Sequence, residues 1–410
     1  MNLGNLKGAC FFWFAVAMSF SVSTGAAQSS AEADQQQLVS GNSGFGFRLL
    51  KELAREKPRA NIFISPYSIS SVLQMVSNGA RGRTLDELRK VLGTTGLAAP
   101  RLNAACEELN QSISSTHTNV ILKIANALWY RTGAQLNPEF AAVNEKFYRA
   151  TLSALDFSQA GSAQIMNEWA AQNTAGRIKT IVQPPIPADT AIVLANAIYF
   201  KGTWLDQFDQ KQTRPRAFHL PSGQEPLPMM QQTRTFLYQQ GAGFQAVQLL
   251  YADQRLQMGV FLPEPNSGPE GLLEKMDGRN WQDKISTGFH EAKGTLVLPR
   301  FKLRFGAELN GPLGALGLGS ALTQNADFSA MSPSHLFLSE VKHQSFVEVN
   351  EEGTEAAAAT TGTMALTSFR QEPPPFQMVV DRPFLFLISD RVTKSILFIG
   401  LVFDPSHSES

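Results

Sequence analysis

The chain has 410 residues, enough to bury a large core, and its length alone is compatible with one to three domains. Hydrophobic residues make up 43% of it, which is typical of a globular protein. Its 35 basic residues balance 35 acidic ones, so the net charge gives no electrostatic case for binding nucleic acid or an anionic membrane.

The first 27 residues predict a secretory signal peptide. Lys7 is their only charged residue, residues 9–22 are mainly apolar, and the small residues 25–27 precede Gln28. A membrane anchor is the alternative, but the apolar run is too short for one and serines interrupt it. We therefore expect a secreted protein, extracellular or, in a bacterium, periplasmic, whose mature chain is residues 28–410.

The mature chain has few sites for covalent modification or cross-linking. Cys106 would be its only thiol, so no internal disulfide can form. The sequence Asn110-Gln111-Ser112 is a glycosylation site only if the source organism glycosylates. The polar residues 28–37 have a composition typical of a disordered segment.

Helical patterns dominate the beginning of the mature chain. Ser65 can cap a helix that has Pro66 at its first position. Thr84 and Glu87 have the spacing of a capping box for the next helix, and Gly93 would end that helix. The first helix carries one apolar stripe, formed by Phe45, Leu49, Leu50 and Leu53.

Strand patterns follow, around one more helix. Residues 119–130 and 191–200 read as long strands, each with an Ala-Asn-Ala triplet, centred on Asn126 and Asn196. Residues 166–181 between them are helical in pattern. Further strands are predicted at residues 248–250, 258–262 and 294–303. With no internal repeat, long linker or change in composition, the sequence predicts one α+β domain.

Residues 351–375, EEGTEAAAATTGTMALTSFRQEPPP, are unusually rich in small side chains. With period two, Thr354 and every second residue as far as Leu366 form a face without charge, and Glu355 lies on the other face. The segment therefore predicts a loop that can become a strand, although a flexible low-complexity linker has similar composition. Strand patterns flank it at residues 340–349, 384–388 and 396–400, which favours an excursion from a single domain.

Four long motifs resemble the serpin family of serine protease inhibitors, and the resemblance covers nearly all of the chain after the first 30 or so residues. They are EEGTEAAAAT at 351–360, MVVDRPFLFLI at 378–388, SILFIGLVFDP at 395–405 and the stretch from Asn61 to Leu92. The resemblance implies the serpin fold, an α+β fold with about three β-sheets, eight to nine helices and an exposed reactive-centre loop, here about residues 351–375.

The resemblance also implies a mechanism. The loop imitates a substrate, a target serine protease attacks it and forms an acyl-enzyme, and the cleaved loop then inserts into the main sheet as a new strand. The expected partner is an elastase-like or trypsin-like serine protease, held in a covalent complex by a monomeric inhibitor without a cofactor or metal. A non-inhibitory serpin, acting as a carrier or chaperone, is the alternative. Bulky, charged or proline residues between Gly353 and Thr360 would mark that type, and the face that starts at Thr354 has none there, since Glu355 lies on the other face.

Particular residues match functional positions of the family. Ser65, Ser68, Asn196 and His343 match a polar cluster beneath the main sheet, where two central strands part. Trp204 matches the tryptophan where insertion begins, and Arg300 matches a basic partner of Glu351. The hinge would consist of Glu351, Glu352, Gly353, Thr354, Glu355, Ala356, Ala357, Ala358 and Ala359.

The cleaved bond is assigned by counting. In the family it usually lies after the fourteenth residue beyond the hinge glycine, which gives Thr367 and Ser368 here. A threonine would suit an elastase-type protease with a shallow pocket. Cleavage between Arg370 and Gln371 is the alternative, because an arginine would match the acidic pocket of a trypsin-like protease. Leu366 and Phe369 are further candidates.

No catalytic motif is evident, so we expect no enzymatic activity. The sequence lacks a Gly-x-Ser-x-Gly elbow, a His-Glu-x-x-His pair and a phosphate-binding loop. Its six histidines are scattered without metal-ligand spacing. A hydrolase with an unrecognised site is the remaining rival.

Overall fold

A computed structural model of the chain describes residues 14–114, 120–354 and 374–406. The helices in these ranges are α1 (Phe14–Glu56), α2 (Pro66–Ser77), α3 (Gly82–Leu92), α4 (Ala99–Ser114), α5 (Pro138–Tyr148), α6 (Ala160–Asn173), α7 (Pro269–Glu274), α8 (Gly278–Asn280) and α9 (Asn310–Ala315). Short 3-10 and π-helical turns lie at Gln210–Gln212 and Trp281–Ile285.

The strands are β1 (Ile62–Ile64), β2 (Val120–Arg131), β3 (Thr151–Leu155), β4 (Ile192–Thr203), β5 (Arg214–Leu220), β6 (Gly223–Gly241), β7 (Phe244–Leu250), β8 (Leu256–Pro263), β9 (His290–Pro299), β10 (Phe301–Glu308), β11 (Leu338–Val349), β12 (Gly353–Thr354), β13 (Phe376–Val379), β14 (Phe384–Asp390) and β15 (Ile396–Val402).

The described strands form two hydrogen-bonded sheets. The six-stranded one, called the central sheet below, has the order β10-β11-β4-β2-β3, with the short β12 paired to β4. The nine-stranded one runs β1-β15-β14-β8-β7-β6-β9-β13, with β5 paired to β6. Its 19-residue strand β6 pairs with β7 near one end and with β5 and β9 elsewhere. About three sheets were expected, and two of them are joined through β6 into the nine-stranded sheet. The α+β class is confirmed.

The central sheet is buried on both faces, which explains why β4 reads as a nearly continuous apolar run. On one face, Leu194 and Ile198 of β4 belong to the main hydrophobic core. On the other, Val193 and Ala195 pack with Met166 of α6 in a separate, smaller apolar cluster. Helix α6 therefore lies on the central sheet, although it ends at Asn173 and not near residue 181 as the pattern predicted.

The prediction of disorder for residues 28–37 is wrong, because they belong to α1. The Asp34 carboxylate is buried and accepts two hydrogen bonds from the guanidinium of Arg101 on α4, one of them 2.7 Å long. The Gln37 side chain donates to the backbone oxygen of Thr95 at 3.0 Å. Polar composition indicated disorder, but these polar groups have partners on other parts of the chain.

Of the two predicted N-terminal helix caps, one is confirmed, and Gly93 ends α3 as predicted. The Ser65 hydroxyl accepts a hydrogen bond from the Ser68 backbone N–H at the start of α2. Helix α3 begins earlier than its predicted cap, with Arg81 at the capping position. The Thr84 hydroxyl accepts from the Asp327 backbone N–H instead, so its hydrogen bond joins α3 to a distant loop.

Asn110 and Ser112, the two side chains that define the glycosylation motif, make contacts within the fold. Asn110 is half-buried in α4 and accepts a hydrogen bond from the Tyr67 hydroxyl. Ser112 accepts one from the Arg255 guanidinium at 2.7 Å. A glycan would be attached to Asn110 Nδ2, which donates to the backbone oxygen of Phe147 at 3.5 Å. Among the described helices, none combines the length and apolarity that a membrane crossing requires.

Candidate functional site

The central strands β4 and β11 are joined along most of their length and separated at one end. They pair in parallel from Ile192 and Leu338 up to the pair Tyr199 and Phe346. Beyond that pair the chain turns back, and β12 enters beside β4 in an antiparallel register, with Thr354 opposite Gly202. We call the point between the last β4–β11 pair and Thr354 the fork. It is where a further strand could enter the sheet.

Thr354 is already inside the sheet. Its side chain is fully buried, and its hydroxyl lies 3.0 Å from the hydroxyl of Tyr251, close enough for a hydrogen bond. The preceding Gly353 has a φ of +147°, which side-chain-bearing residues rarely adopt. A Cβ there would also lie 2.7 Å from the Cα of Thr203 and against the backbone oxygen of Gly202. Only glycine fits this position without strain.

Trp204 holds the turn that leads into β12. Its indole N–H donates to the backbone oxygen of Asn350 at 3.0 Å, and its backbone N–H donates to that of Glu352 at 3.0 Å. Its ring stacks on Tyr251 with centroids 4.6 Å apart. The tryptophan therefore positions both the turn and the tyrosine that contacts Thr354.

Glu351 is 2% exposed and is held from two sides. The Arg300 guanidinium donates from Nε to both carboxylate oxygens, at 2.7 and 2.8 Å, and the Thr213 hydroxyl donates to one of them. Burial opposes ionisation, but these hydrogen bonds and the arginine's charge hold the pKa of Glu351 below its ordinary value. The acidic hinge residue is thus a buried anchor and not a solvated turn.

The predicted polar cluster is assembled under the central sheet. His343 is fully buried; its Nε2 accepts from the Ser65 backbone N–H at 3.3 Å. Its Nδ1 must then carry the proton and donate to Asn196 Oδ1 at 3.1 Å. The Asn196 amide donates in turn to the Ser68 hydroxyl. Burial lowers the pKa of His343 from 6.5 to about 3, so the ring is neutral in the folded protein.

Two further members of this cluster, Asn126 and Ser71, were missed as site residues. Asn196 donates to Asn126 Oδ1 at 2.9 Å, and Asn126 donates to the Ser71 hydroxyl at 3.3 Å. Strand register explains the arrangement, since Asn196 lies opposite both His343 on β11 and Asn126 on β2. The repeated Ala-Asn-Ala triplet was the signal in the sequence, because two matching asparagines on paired strands can meet face to face.

Several predicted site residues lie outside the described part of the chain. These are Glu355, Ala356, Ala357, Ala358 and Ala359 of the hinge, and Thr367, Ser368, Arg370 and Gln371 at the reactive bond. The chain is described again from Pro374, and β13 then pairs in parallel with β9. Phe376 at its start stacks on Tyr238 with ring centroids 4.0 Å apart, which attaches this end of the loop segment to the nine-stranded sheet.

The described residues contain no cluster of three or more His, Cys, Asp or Glu side chains that could hold a metal ion. Burial raises the pKa of the Cys106 thiol to about 12, and the sulfur donates to Gln74 Oε1 at 3.0 Å. A thiol in this state is structural and not a nucleophile. The site therefore consists of the fork between β4 and β11 and a hinge whose residues Gly353 and Thr354 already pair with β4.

Comparison with known proteins identifies this architecture. The sequence model of the serpins, described as serine protease inhibitors, matches residues 40–405. The chain is a serpin. This serpin is 36% identical to an uncharacterized serpin-like protein of Thermococcus kodakarensis, over 91% of the chain and 87% of the relative. It is 34% identical to the leukocyte elastase inhibitor of Sus scrofa, over 90% of the chain and all of the relative.

Solved structures agree with the assignment. Human thyroxine-binding globulin, solved in complex with thyroxine, aligns with a TM-score of 0.82 at 26% identity, over 91% of this chain and 99% of that one. The native state of the thermophilic serpin tengpin aligns with a TM-score of 0.81 at 25% identity, over 89% and 94%. Membership of the family supports protease inhibition as the general function of this serpin.

The buried neutral state of His343 predicts a pH dependence of stability. Because its folded pKa is about 3 and its ordinary value 6.5, the unfolded chain binds a proton between these values that the folded chain does not. The free energy of unfolding should therefore fall as the pH drops below 6.5, by up to about 1.4 kcal/mol per pH unit from this residue. Urea unfolding between pH 7.5 and 4.5 measures the slope.

His343→Gln should make that slope shallower by about one proton, even though it also lowers stability at neutral pH. His335→Gln is the matched control, because it removes an exposed histidine. Equal slopes for the two variants would contradict the assignment.

The Arg300–Glu351 pair predicts a second effect on stability. Arg300→Met leaves the buried carboxylate without its cation and should lower the free energy of unfolding of the intact protein by about 2 kcal/mol. Lys302→Met, two residues further along, removes a cation 3.7 Å from Glu348 in a more exposed pair and should cost no more than about 1 kcal/mol. Urea melts of both variants provide the comparison. Similar small losses would show that Glu351 does not depend on the arginine.

Proposed function

We propose that this serpin is a secreted suicide-substrate inhibitor of serine proteases, which traps its target as an acyl-enzyme by inserting the cleaved loop into the central sheet. The observation that carries the proposal is the position of Thr354. This residue is fully buried at the fork, paired with β4 in the antiparallel sense that an inserted strand would continue. The intact protein thus holds the first residue of the proposed strand in place.

The residues after Thr354 suit such insertion. On the same face of an extended strand they are small or uncharged as far as Leu366, so no charge has to lose its water on the way in. About a dozen inserted residues, at roughly 0.5–1.5 kcal/mol net per backbone hydrogen bond, would gain on the order of ten kcal/mol before the cost of ordering. The uncleaved protein would then be kinetically trapped, since a more stable arrangement exists.

The proposed chemistry uses the protease's own mechanism. The protease serine Oγ attacks the carbonyl carbon of the reactive bond, the C–N bond breaks, and a proton passes to the new amine. The acyl group stays on the loop segment that begins at Thr354, while the new amine stays with the segment that ends in β13. Insertion must then distort the acyl-enzyme faster than water hydrolyses its ester.

The target and the bond remain proposals from sequence. Thr367–Ser368 is the proposed reactive bond for an elastase-like protease, and Arg370–Gln371 is the alternative for a trypsin-like one. The similarity to leukocyte elastase inhibitors favours the first choice. Secretion and a monomeric state are part of the proposal too, the former on the strength of the apolar segment before Gln28.

A carrier function is the second candidate, because a structural neighbour is a thyroxine-binding globulin solved with its ligand. The hinge distinguishes the two functions. An inhibitor must insert its loop quickly, which the small side chains after Thr354 favour, whereas a carrier has no such requirement. Inhibition is therefore the function that the geometry supports best.

The direct test mixes the protein with pancreatic elastase and with trypsin, followed by a denaturing gel and mass spectrometry of the released peptide. An inhibitor gives a complex that survives SDS, and the peptide mass identifies the reactive bond. Clean cleavage without any complex would overturn the proposal. A protease whose active serine has been blocked beforehand is the control and should form no complex.

Thr354→Arg should convert the inhibitor into a substrate. An arginine could not stay buried beside the Tyr251 hydroxyl, so the hinge would leave the fork and insertion would first have to bury a charge, which slows the step that competes with deacylation. The fraction of protease trapped per cleaved molecule should fall at least tenfold, as read from the ratio of complex to cleaved band. Thr354→Ser keeps the hydroxyl and should trap about as well as the parent; equal trapping by both variants would contradict this role.

A further inference from the structure

Arg177 reaches across the seam between β4 and β11 at the fork. Tyr199 and Phe346, the last pair of that seam, lie opposite each other and face away from the main core. The Arg177 guanidinium lies 5.5 Å from the centre of the Phe346 ring, within the range of a cation–π contact. It also donates a hydrogen bond to the Tyr199 hydroxyl. One side chain thus contacts both strands that have to part.

Arg177 belongs to the β4 side of the seam. It follows α6, and the apolar cluster beneath that helix draws its sheet residues from β2 and β4: Ala127, Trp129, Val193 and Ala195. The contact with Phe346 on β11 therefore crosses from one side of the seam to the other. Lys302 also lies near the Phe346 ring, at 5.6 Å, but it comes from β10, which pairs with β11, and so does not cross the seam.

The backbone around Arg177 is firmly held. The buried Thr174 hydroxyl donates to the Ala170 backbone oxygen at 2.7 Å and accepts from the Ile178 backbone N–H at 3.0 Å. Between them Ala175 and Gly176 have φ values of +52° and +76°, which close a tight left-handed turn at the end of α6. The arginine is therefore presented to the seam by a fixed turn and not by a loose loop.

The position of Tyr199 and Phe346 relative to the hinge explains why the contacts of Arg177 matter for insertion. Thr354 lies opposite Gly202, and a strand continued in that register would bring Ala357 opposite Tyr199, three residues further along both strands. Insertion beyond the first residues thus requires Tyr199 and Phe346 to separate. That separation breaks the bridge through Arg177 unless the arginine releases one of its two partners.

We propose that Arg177 is a latch at the fork, which holds β4 and β11 together at their last pair and so sets the rate at which a new strand enters the central sheet. The inference rests on the loop insertion proposed above and adds the residue that controls its rate. It makes Arg177 a positioning residue, because it acts through the two strands and touches no protease.

The test measures strand entry without a protease. A fluorescein-labelled peptide with the sequence of residues 353–364 is incubated with the intact protein, and its uptake is followed by fluorescence anisotropy. Arg177→Met, which keeps the aliphatic stem, should take up the peptide about tenfold faster than the parent. Arg177→Lys keeps the charge near the ring but loses the planar guanidinium group, and its uptake rate should fall between those of the parent and Arg177→Met.

Lys302→Met is the matched control, since it removes the other cation near the Phe346 ring without touching the seam; its uptake rate should stay within about twofold of the parent. Tyr199→Phe, which removes only the hydroxyl, should speed uptake and serves as the second variant if Arg177→Met does not fold. Equal rates for Arg177→Met and Lys302→Met, or slower uptake by Arg177→Met, would overturn the latch.

The outcome is separate from that of the inhibitor assay. A protein that forms no SDS-stable complex can still show faster peptide uptake in the arginine variants, which would retain the latch and reject the inhibitor. A protein that forms the complex while all variants take up peptide equally would retain the inhibitor and reject the latch.

Discussion

Two parallel strands, β4 and β11, pair along most of their length and are separate at one end, where the hinge enters beside β4. Strands β4 and β11 pair without interruption from Val193 and Glu340 to Tyr199 and Phe346, then diverge to admit β12. Backbone hydrogen bonds alone would favour either a fully closed seam or a fully opened one. The side chains at the seam and the hinge decide how far it opens.

The polar cluster under the central sheet is one such set of side chains. His343, Asn196 and Asn126 lie side by side on three neighbouring strands, each hydrogen-bonded to the next. A buried network of this kind is specific when every member is satisfied and costly when one is not. It therefore penalises partial separation of the strands more than an apolar seam would, and it gives β4 and β11 a defined register.

Much of this could be predicted from sequence, because it depends on local patterns or long motifs. The α+β class, the cap at Ser65 and the small-residue character of the hinge follow from periodicity and residue size. The partnership of Arg300 with Glu351 came from family resemblance. The burial of Glu351 could not be predicted, since its exposure depends on how the hinge turn packs on Trp204 and Phe208. The backbone N–H groups of these two residues bind the backbone oxygens of Glu352 and Glu351.

Other features could not be predicted from the sequence, because they depend on contacts between residues far apart in the chain. In the helical residues 28–37, Asp34 is bound by Arg101, 67 positions away, and composition alone indicated disorder. The true start of α3 depends on Thr84 bonding to Asp327. No sequence pattern singled out Arg177. Only the register of β4 against β11 shows that Tyr199 and Phe346 are neighbours.

The separate apolar cluster under α6 has a mechanical consequence. Because its dozen buried side chains are distinct from the main core, a displacement of α6 would expose apolar area from that small cluster and not from the main core. The large core behind the central sheet would keep its packing during such a movement. The main core and the cluster under α6 are thus separate packing units, so a large rearrangement on the α6 face of the central sheet would not require the main core to unfold.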